Sequence, residues 1–171
     1  MPLTKLNSAS VIERLPVGSV LQTVSNTFTN TDSFTNETAD TGLSCAITPI
    51  ESNSTLMITV SLYYSLTGNG AFAFITDSSN NMIQQPPASS NRARAHFGTN
   101  YGSSSFMTYN TMRSSHTVFT THTGTSAQTF KVRVTSNALS AVFYINRNVY
   151  HGDRFEDSVG ISTMFIQEIK Q

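Results

Sequence analysis

Charge, cysteine and tryptophan are scarce in this chain of 171 residues, which has one cysteine and no tryptophan. Ten basic side chains balance ten acidic ones, so the formal net charge is zero at neutral pH. A chain without a basic stripe offers no electrostatic footprint for phosphates, and we expect no nucleic-acid partner. A single cysteine excludes a disulfide framework within the chain. Cys45 shares a strand face with Leu43 and Ile47, which predicts a buried and inert thiol.

Long apolar runs are absent as well. No stretch of about 18 apolar residues occurs, so we expect no insertion into a membrane. Residues 1–18, MPLTKLNSASVIERLPVG, lack an apolar segment long enough for a secretory signal. We therefore expect the protein to be made in a cytoplasm and to reach its destination by assembly.

The sequence contains no convincing catalytic or metal-binding constellation. The triplet Asp40-Thr41-Gly42 matches aspartic proteases, but it follows a polar run, so a turn explains it better. Residues 77–81, DSSNN, begin like a calcium loop yet lack a closing glutamate, which favours a turn. His116 and His122 would lie about 20 Å apart on one strand, too far to share a metal. We expect no catalytic residue, no metal and no cofactor.

What the chain does have is hydrophobic alternation. Leu56, Ile58, Val60, Leu62 and Tyr64 share one parity, and hydroxyl-bearing residues occupy most of the other positions of that stretch. A period of two places alternate side chains on opposite faces of a β-sheet. Similar short runs recur with turn signals every 8–12 residues, which is typical of an antiparallel sandwich. We predict an all-β, jelly-roll-like sandwich, with residues 117–123 and 129–135 forming a hairpin.

Residues 1–18 precede this pattern and end at a Pro-Val-Gly breaker, so we predict an arm of residues 1–18 and a sandwich domain of residues 19–171. The arm is too short to fold alone. It is either a disordered leader or, as we favour, a docking arm that orders on another subunit. Its apolar residues would make that contact: Leu3, Leu6, Val11, Ile12 and Leu15.

Several short motifs resemble, in order and spacing, the head modules of tail-fibre and related virion proteins of marine bacteriophages. They are GSVLQ at residues 18–22, TGLS at 41–44, ITP at 47–49, the strand at 54–60 and STMFIQEI at 162–169. Such modules are similar to jelly-roll folds of the tumour necrosis factor and complement C1q type and usually form trimers. The resemblance therefore implies a non-enzymatic homotrimer on the surface of a phage particle, made in the host cytoplasm. It transfers no catalytic residues.

The aromatic residues give this expectation candidate contacts. Four lie on the parity opposite the predicted core and are candidates for the subunit interface: Tyr63, Phe72, Phe74 and Phe143. The irregular stretch 88–115 supplies candidates for contact with a host-surface glycan or protein: Arg92, Arg94, Tyr101, Phe106 and Tyr109. Flat aromatic rings beside amide and hydroxyl groups suit such surfaces.

Three functions stay open at this point. The first is a short tail-fibre or adhesin head for host attachment, held to other virion proteins by the arm. The second is a capsid decoration protein that cements the shell. The third, more remote, is a glycan-cleaving tail enzyme, which would need a pair of carboxylates in a groove.

Overall fold

The computed structural model describes residues 12–68, 70–98, 111–136, 141–150, 152 and 157–171. These residues contain nine strands, all paired antiparallel. The chain is an all-β sandwich of two packed sheets, as predicted. The strands are β1 (Val20–Phe28), β2 (Asp32–Thr35), β3 (Thr38–Ile47), β4 (Thr55–Thr67), β5 (Ala71–Asp77), β6 (Met112–Thr121), β7 (Gln128–Ser136), β8 (Val142–Ile145) and β9 (Ser162–Ile169).

The larger sheet is organised around β4, its longest strand. One edge of β4 pairs with β6, from Thr55 opposite Thr121 to Tyr64 opposite Met112. The other edge pairs first with β9 and then with β8, which follow one another along it. Strand β1 extends the sheet beyond β9, and β2 extends it beyond β8. The sheet is therefore four rows wide, with β6 at one edge and β1 and β2 at the other.

The smaller sheet has the order β3-β7-β5. Its strand β3 contains a bulge between Asp40 and Ser44, where the register against β7 shifts. Gly42 sits in this bulge with a φ of 90°, a conformation that favours glycine. The Asp40-Thr41-Gly42 triplet thus lies inside a strand, whereas the sequence predicted a turn before one. The predicted turn at residues 77–81 is confirmed, because Asp77 accepts a hydrogen bond from the Asn81 amide at 2.8 Å.

The core lies between the sheets and contains the inward residues that the alternation predicted. Leu56, Ile58, Val60 and Leu62 are fully buried, and Tyr64 is almost so. Cys45 is buried as expected, and its burial raises the pKa of the thiol. A buried thiol with a raised pKa carries little thiolate at neutral pH, which is the setting expected of an unreactive cysteine.

Asn146 closes the gap between the two halves of the larger sheet, where β8 ends and β9 begins. It is fully buried, and its φ of 58° turns the chain away from the sheet. Its side-chain amide donates to the carbonyls of Phe28 and Asn30, at 2.8 and 2.9 Å. Its side-chain oxygen accepts from the Ser162 hydroxyl at 2.7 Å. One side chain therefore satisfies backbone groups that the break between β1 and β2 would leave unpaired.

Two predictions are wrong. Strands β6 and β7 do not form a hairpin, because β6 pairs with β4 in the larger sheet and β7 pairs with β3 and β5 in the smaller one. The turn residues between them carry the chain from one sheet to the other. Phe143 is not at a surface that a partner could cover, because it is fully buried and stacks on Tyr64 with ring centroids 5.1 Å apart.

Candidate interaction surfaces and a polar cleft

The outward side chains of β1, β4, β6 and β9 form a nearly uncharged surface, here named the hydroxyl face. In these four fully described strands, Arg113 is the one charged residue at an outward position. Thr59 and Thr117 lie opposite each other and share a hydrogen bond of 2.9 Å. The face is otherwise dominated by hydroxyl groups: Thr23, Ser25, Thr27, Thr55, Ser61, Ser115, Thr121 and Thr163.

Apolar side chains stand among these hydroxyl groups. Phe119 is 43% exposed and Phe165 is 44% exposed, which is high for phenylalanine in a strand. Tyr63 lies near one end of the face, with the Arg113 guanidinium 5.9 Å from its ring centroid. An exposed apolar surface with hydroxyl groups and almost no charge resembles the central part of a protein–protein interface more than it resembles an ordinary solvated sheet.

The outer face of the smaller sheet, here named the charged face, has a different character. Asp40 accepts hydrogen bonds from Lys131 at 2.8 Å and from Arg133 at 2.7 Å. The side chains of both cations are 18% exposed, whereas Asp40 is 48% exposed. The hydrogen bond from Lys131 is the main cause of a lowered pKa for Asp40, against a smaller opposing effect of burial. Asp40 therefore pairs with both cations within the chain, and the three groups together keep one net positive charge.

The predicted interface residues do not come together. Tyr63 lies on the hydroxyl face, and Phe72 and Phe74 are half-buried at outward positions of β5 on the charged face. Phe143 lies in the core. The four aromatic residues predicted to point away from the core thus lie in three separate environments. Strand parity alone could not distinguish the hydroxyl face, the charged face and the core.

Residues 82–98, here named the edge strap, join the two sheets along one side of the sandwich. The Ile83 amide donates to the Ile75 carbonyl and the Phe97 amide to the Ala73 carbonyl, so the strap covers the outer edge of β5. The Gln84 side chain accepts from the Phe119 amide at 2.9 Å, on the edge of β6. Arg92 and Arg94 are exposed on the strap. Tyr101, Phe106 and Tyr109, also predicted to contact a receptor, lie outside the described residues.

A pair of stacked histidines marks this join. His96 of the strap and His116 of β6 have ring centroids 4.8 Å apart and planes inclined by 18°. The Nδ1 atom of His96 accepts from the Ile75 amide at 2.9 Å, so the ring is in its neutral form with the proton on Nε2. Burial and, after it, the neighbouring His116 lower the pKa of His96 to about 4. Backbone groups of Ile83 and Gln84 act in the opposite sense without offsetting these effects.

On the other side of the sandwich, Glu168 is a fully buried carboxylate that sequence analysis did not single out. It accepts hydrogen bonds from the backbone amides of Ile50 and Glu51 and from the Gln22 side chain, at 2.7 to 2.9 Å. These bonds fix the connection between β3 and β4. Strand parity in the sequence could have indicated its burial, because Glu168 continues the inward series of Met164 and Ile166 in β9.

Lys170, two residues further, holds the start of the described chain. Its ammonium donates to the carbonyls of Ile12 and Glu13, at 2.6 and 3.2 Å. Its backbone pairs with Gly18 and Ser19. Residues 12–18 of the predicted arm therefore lie on the chain's own domain at this anchor. Ile12 and Leu15 are half-buried there, and Leu3, Leu6 and Val11 lie outside the described residues.

A polar cleft of about 710 Å³ opens at the far end of β1, between residues 28–32 and residues 40–42. Hydrogen bonds to buried residues hold both of its walls in place. Asn146 binds the carbonyls of Phe28 and Asn30, and the Thr41 hydroxyl donates to the Val132 carbonyl at 2.9 Å. Gly42 packs against the Phe28 ring so closely that a β-carbon there would lie 2.8 Å from a ring atom.

In the described part of the chain, no group of three or more His, Cys, Asp or Glu side chains is arranged to hold a metal ion. No helix within the same residues is long and apolar enough to cross a bilayer. A scan against protein-family models finds no match, and a search of the curated proteins finds none either.

Proposed function

We propose that the chain is a non-enzymatic structural protein on the surface of a phage particle, where it forms a homotrimer and acts as a short tail-fibre or adhesin head. The hydroxyl face carries this proposal. Phe119 and Phe165 are exposed on it, and Arg113 is its one charge. Each phenylalanine is already more than half buried, so burying its exposed part against a sister copy would contribute about 1 kcal/mol. Burial of hydroxyl groups that pair with one another costs little.

The anchor supports attachment through residues 1–18. Lys170 binds the carbonyls of Ile12 and Glu13, so the preceding residues start from a fixed point on the domain. A segment that starts from a fixed point loses less freedom when it docks on another virion protein than a fully loose one would. The arm would supply attachment, and the edge strap with Arg92 and Arg94 would be displayed for a host-surface glycan or protein.

Capsid decoration is the second candidate, and the same anchor favours it. Gly18 and Ser19 pair with Lys170 directly, so no spacer separates the held residues from the first strand. A domain held without a spacer suits flush packing on a shell. Copy number separates the two functions, because a decoration protein is present in hundreds of copies per particle and a fibre in a few tens at most.

A map of an intact particle tests the proposal directly. We expect three copies around a threefold axis, with the hydroxyl faces turned towards one another and the arm on another virion protein. A chain found on the shell in hundreds of copies would favour decoration. A chain absent from particles would overturn the virion proposal altogether.

Deletion of residues 1–18 provides the matched biochemical test. We expect the shortened protein to remain a folded, soluble trimer that no longer joins particles. Full incorporation without these residues would remove the docking arm from the proposal. Turnover of a host glycan by the purified protein would instead favour the remote alternative, a glycan-cleaving tail enzyme.

A further inference from the structure

The polar cleft has the features of a preformed site. Its walls come from the β1–β2 connection and the β3 bulge, and bulges are common beside binding sites. Asn146, which binds the first wall, is fully buried, and Thr41, which binds the second, is 3% exposed. Polar groups held in this way lose little freedom when a ligand binds, and this lowers the cost of binding.

The charges around the cleft decide which ligand it suits. Asp32 and Asp40 line it and bring two negative charges. Lys131 and Arg133 bring two positive charges through their hydrogen bonds to Asp40, so the local sum is zero. A divalent cation would meet no net attraction here, and neither would a phosphate. An uncharged ligand that donates hydrogen bonds meets no such obstacle.

The two carboxylates are suitable acceptors for such a ligand. Lys131 and Arg133 each occupy one oxygen of Asp40, and a carboxylate oxygen can accept more than one hydrogen bond. Asp32 is oriented by the Ser33 amide, which donates to it at 2.7 Å. Hydrogen bonds from hydroxyl groups to carboxylates are about twice as strong as those between neutral groups. The half-buried Phe28 ring adds an apolar surface for carbon-bound hydrogens.

From these observations we infer that the cleft binds a neutral saccharide, with Asp32 and Asp40 accepting hydrogen bonds from its hydroxyl groups. The inference deepens the proposed attachment function and rests on it. The cleft lies about 27 Å along β1 from the anchor. It lies on the side where β1 approaches β3, and the edge strap lies on the opposite side.

The test begins with the full chain on a printed array of neutral and acidic oligosaccharides. Titration calorimetry then measures affinity for the best neutral binder. We expect Asp32→Asn and Asp40→Asn each to weaken binding about tenfold, because each replaces a charged acceptor by a neutral one of the same shape. Glu37→Gln is the matched control: it removes an exposed carboxylate from the adjacent β2–β3 turn, outside the cleft, and should leave affinity unchanged.

Amide chemical shifts of the wild-type protein give a second readout that does not depend on the variants. The saccharide should shift resonances of residues 28–32 and 40–42, and excess EDTA should change neither the shifts nor the affinity. Unchanged affinity in both cleft variants, shifts confined to the edge strap, loss of binding in EDTA, or preference for acidic saccharides would overturn the inference. A silent array would also overturn it. The location of the chain in the particle tests the proposed function separately.

Discussion

The two outer faces of the sandwich differ although their inner faces follow the same rule. On the charged face, Lys131 and Arg133 both pair with Asp40, so each of these charges has a partner within the chain. On the hydroxyl face, Phe119 and Phe165 are exposed among hydroxyl groups, and Arg113 is the one charge. Packing in the core determines which residue types occupy the inward positions. The residue types at outward positions reflect the surroundings of each surface, because nothing in the fold itself requires a strand to expose phenylalanine.

The largest expected effect is a difference in stability between substitutions at an inward and at an outward position of β4. Leu62→Asp buries an unpaired charge at a fully buried position and should destabilise the fold by more than about 4 kcal/mol. Ser61→Asp, its neighbour on the hydroxyl face, should leave the protein folded. Circular dichroism and chemical denaturation measure both. A soluble, native-like Leu62→Asp protein would contradict the assignment of the core.

A second substitution pair compares the two outer faces directly. Phe165→Asp places a charge at the centre of the hydroxyl face and should convert the proposed trimer to monomer without unfolding it. Phe74→Asp, a matched change on the charged face, should leave the mass unchanged. Native mass spectrometry or light scattering at micromolar concentration measures this. If the wild type is already a monomer, or if only Phe74→Asp dissociates the protein, the hydroxyl face is not the interface.

The join between the two sheets should be sensitive to acid. Because the pKa of His96 falls from 6.5 to about 4 on folding, the unfolded chain takes up the proton first. The free energy of unfolding should be unaffected by His96 above pH 6.5, decrease between pH 6.5 and 4, and level off below. The contribution is about 2 kcal/mol, smaller than for a fully buried ring because His96 is partly exposed.

Denaturation curves across this pH range provide the measurement. His96→Gln can still accept a hydrogen bond from Ile75 and should lose this part of the pH dependence. His122→Gln is the control and should keep it. Equal slopes in the wild type and in His96→Gln would show that folding does not lower the pKa of His96.

The smallest expected effect tests the two ion pairs on the charged face. Asp40→Asn should lower the free energy of unfolding by about 1 kcal/mol, because the ion pairs are partly exposed and salt screens them. The lowered pKa of Asp40 means that this stabilisation is present above its usual pKa of 3.8 and is lost as the pH falls further. Denaturation at low and high salt should show a smaller difference at high salt.

Alternation in the sequence was sufficient to predict the sandwich, because burial imposes a period of two on strands such as β4. It was not sufficient to predict which strands pair. Residues 123–127 were predicted to be a hairpin turn, yet a connection of this length can also cross between sheets, and β6 pairs with β4 over its whole length. Local sequence encodes the turn, whereas the partner is set by distant strands.

The surfaces were less predictable than the core. Phe143 is an aromatic residue of the kind found at interfaces, but its ring stacks on Tyr64. Only the register of β8 against β4 reveals that stacking. The cleft depends on Asn146, more than a hundred residues from the two carbonyls that it binds. Glu168 could have been recognised, since a carboxylate in an inward series must find several donors.

The pairing of Lys170 with Gly18 and Ser19 has a practical consequence. The last residues of this chain leave the domain beside the place where residues 12–18 are held. A fluorescent reporter fused after Gln171 would therefore crowd the attachment region and leave the cleft and the edge strap unobstructed. Insertion of a reporter into the exposed turn at residues 78–80 would spare attachment instead. The two fusions would distinguish loss of incorporation from loss of recognition in otherwise identical particles.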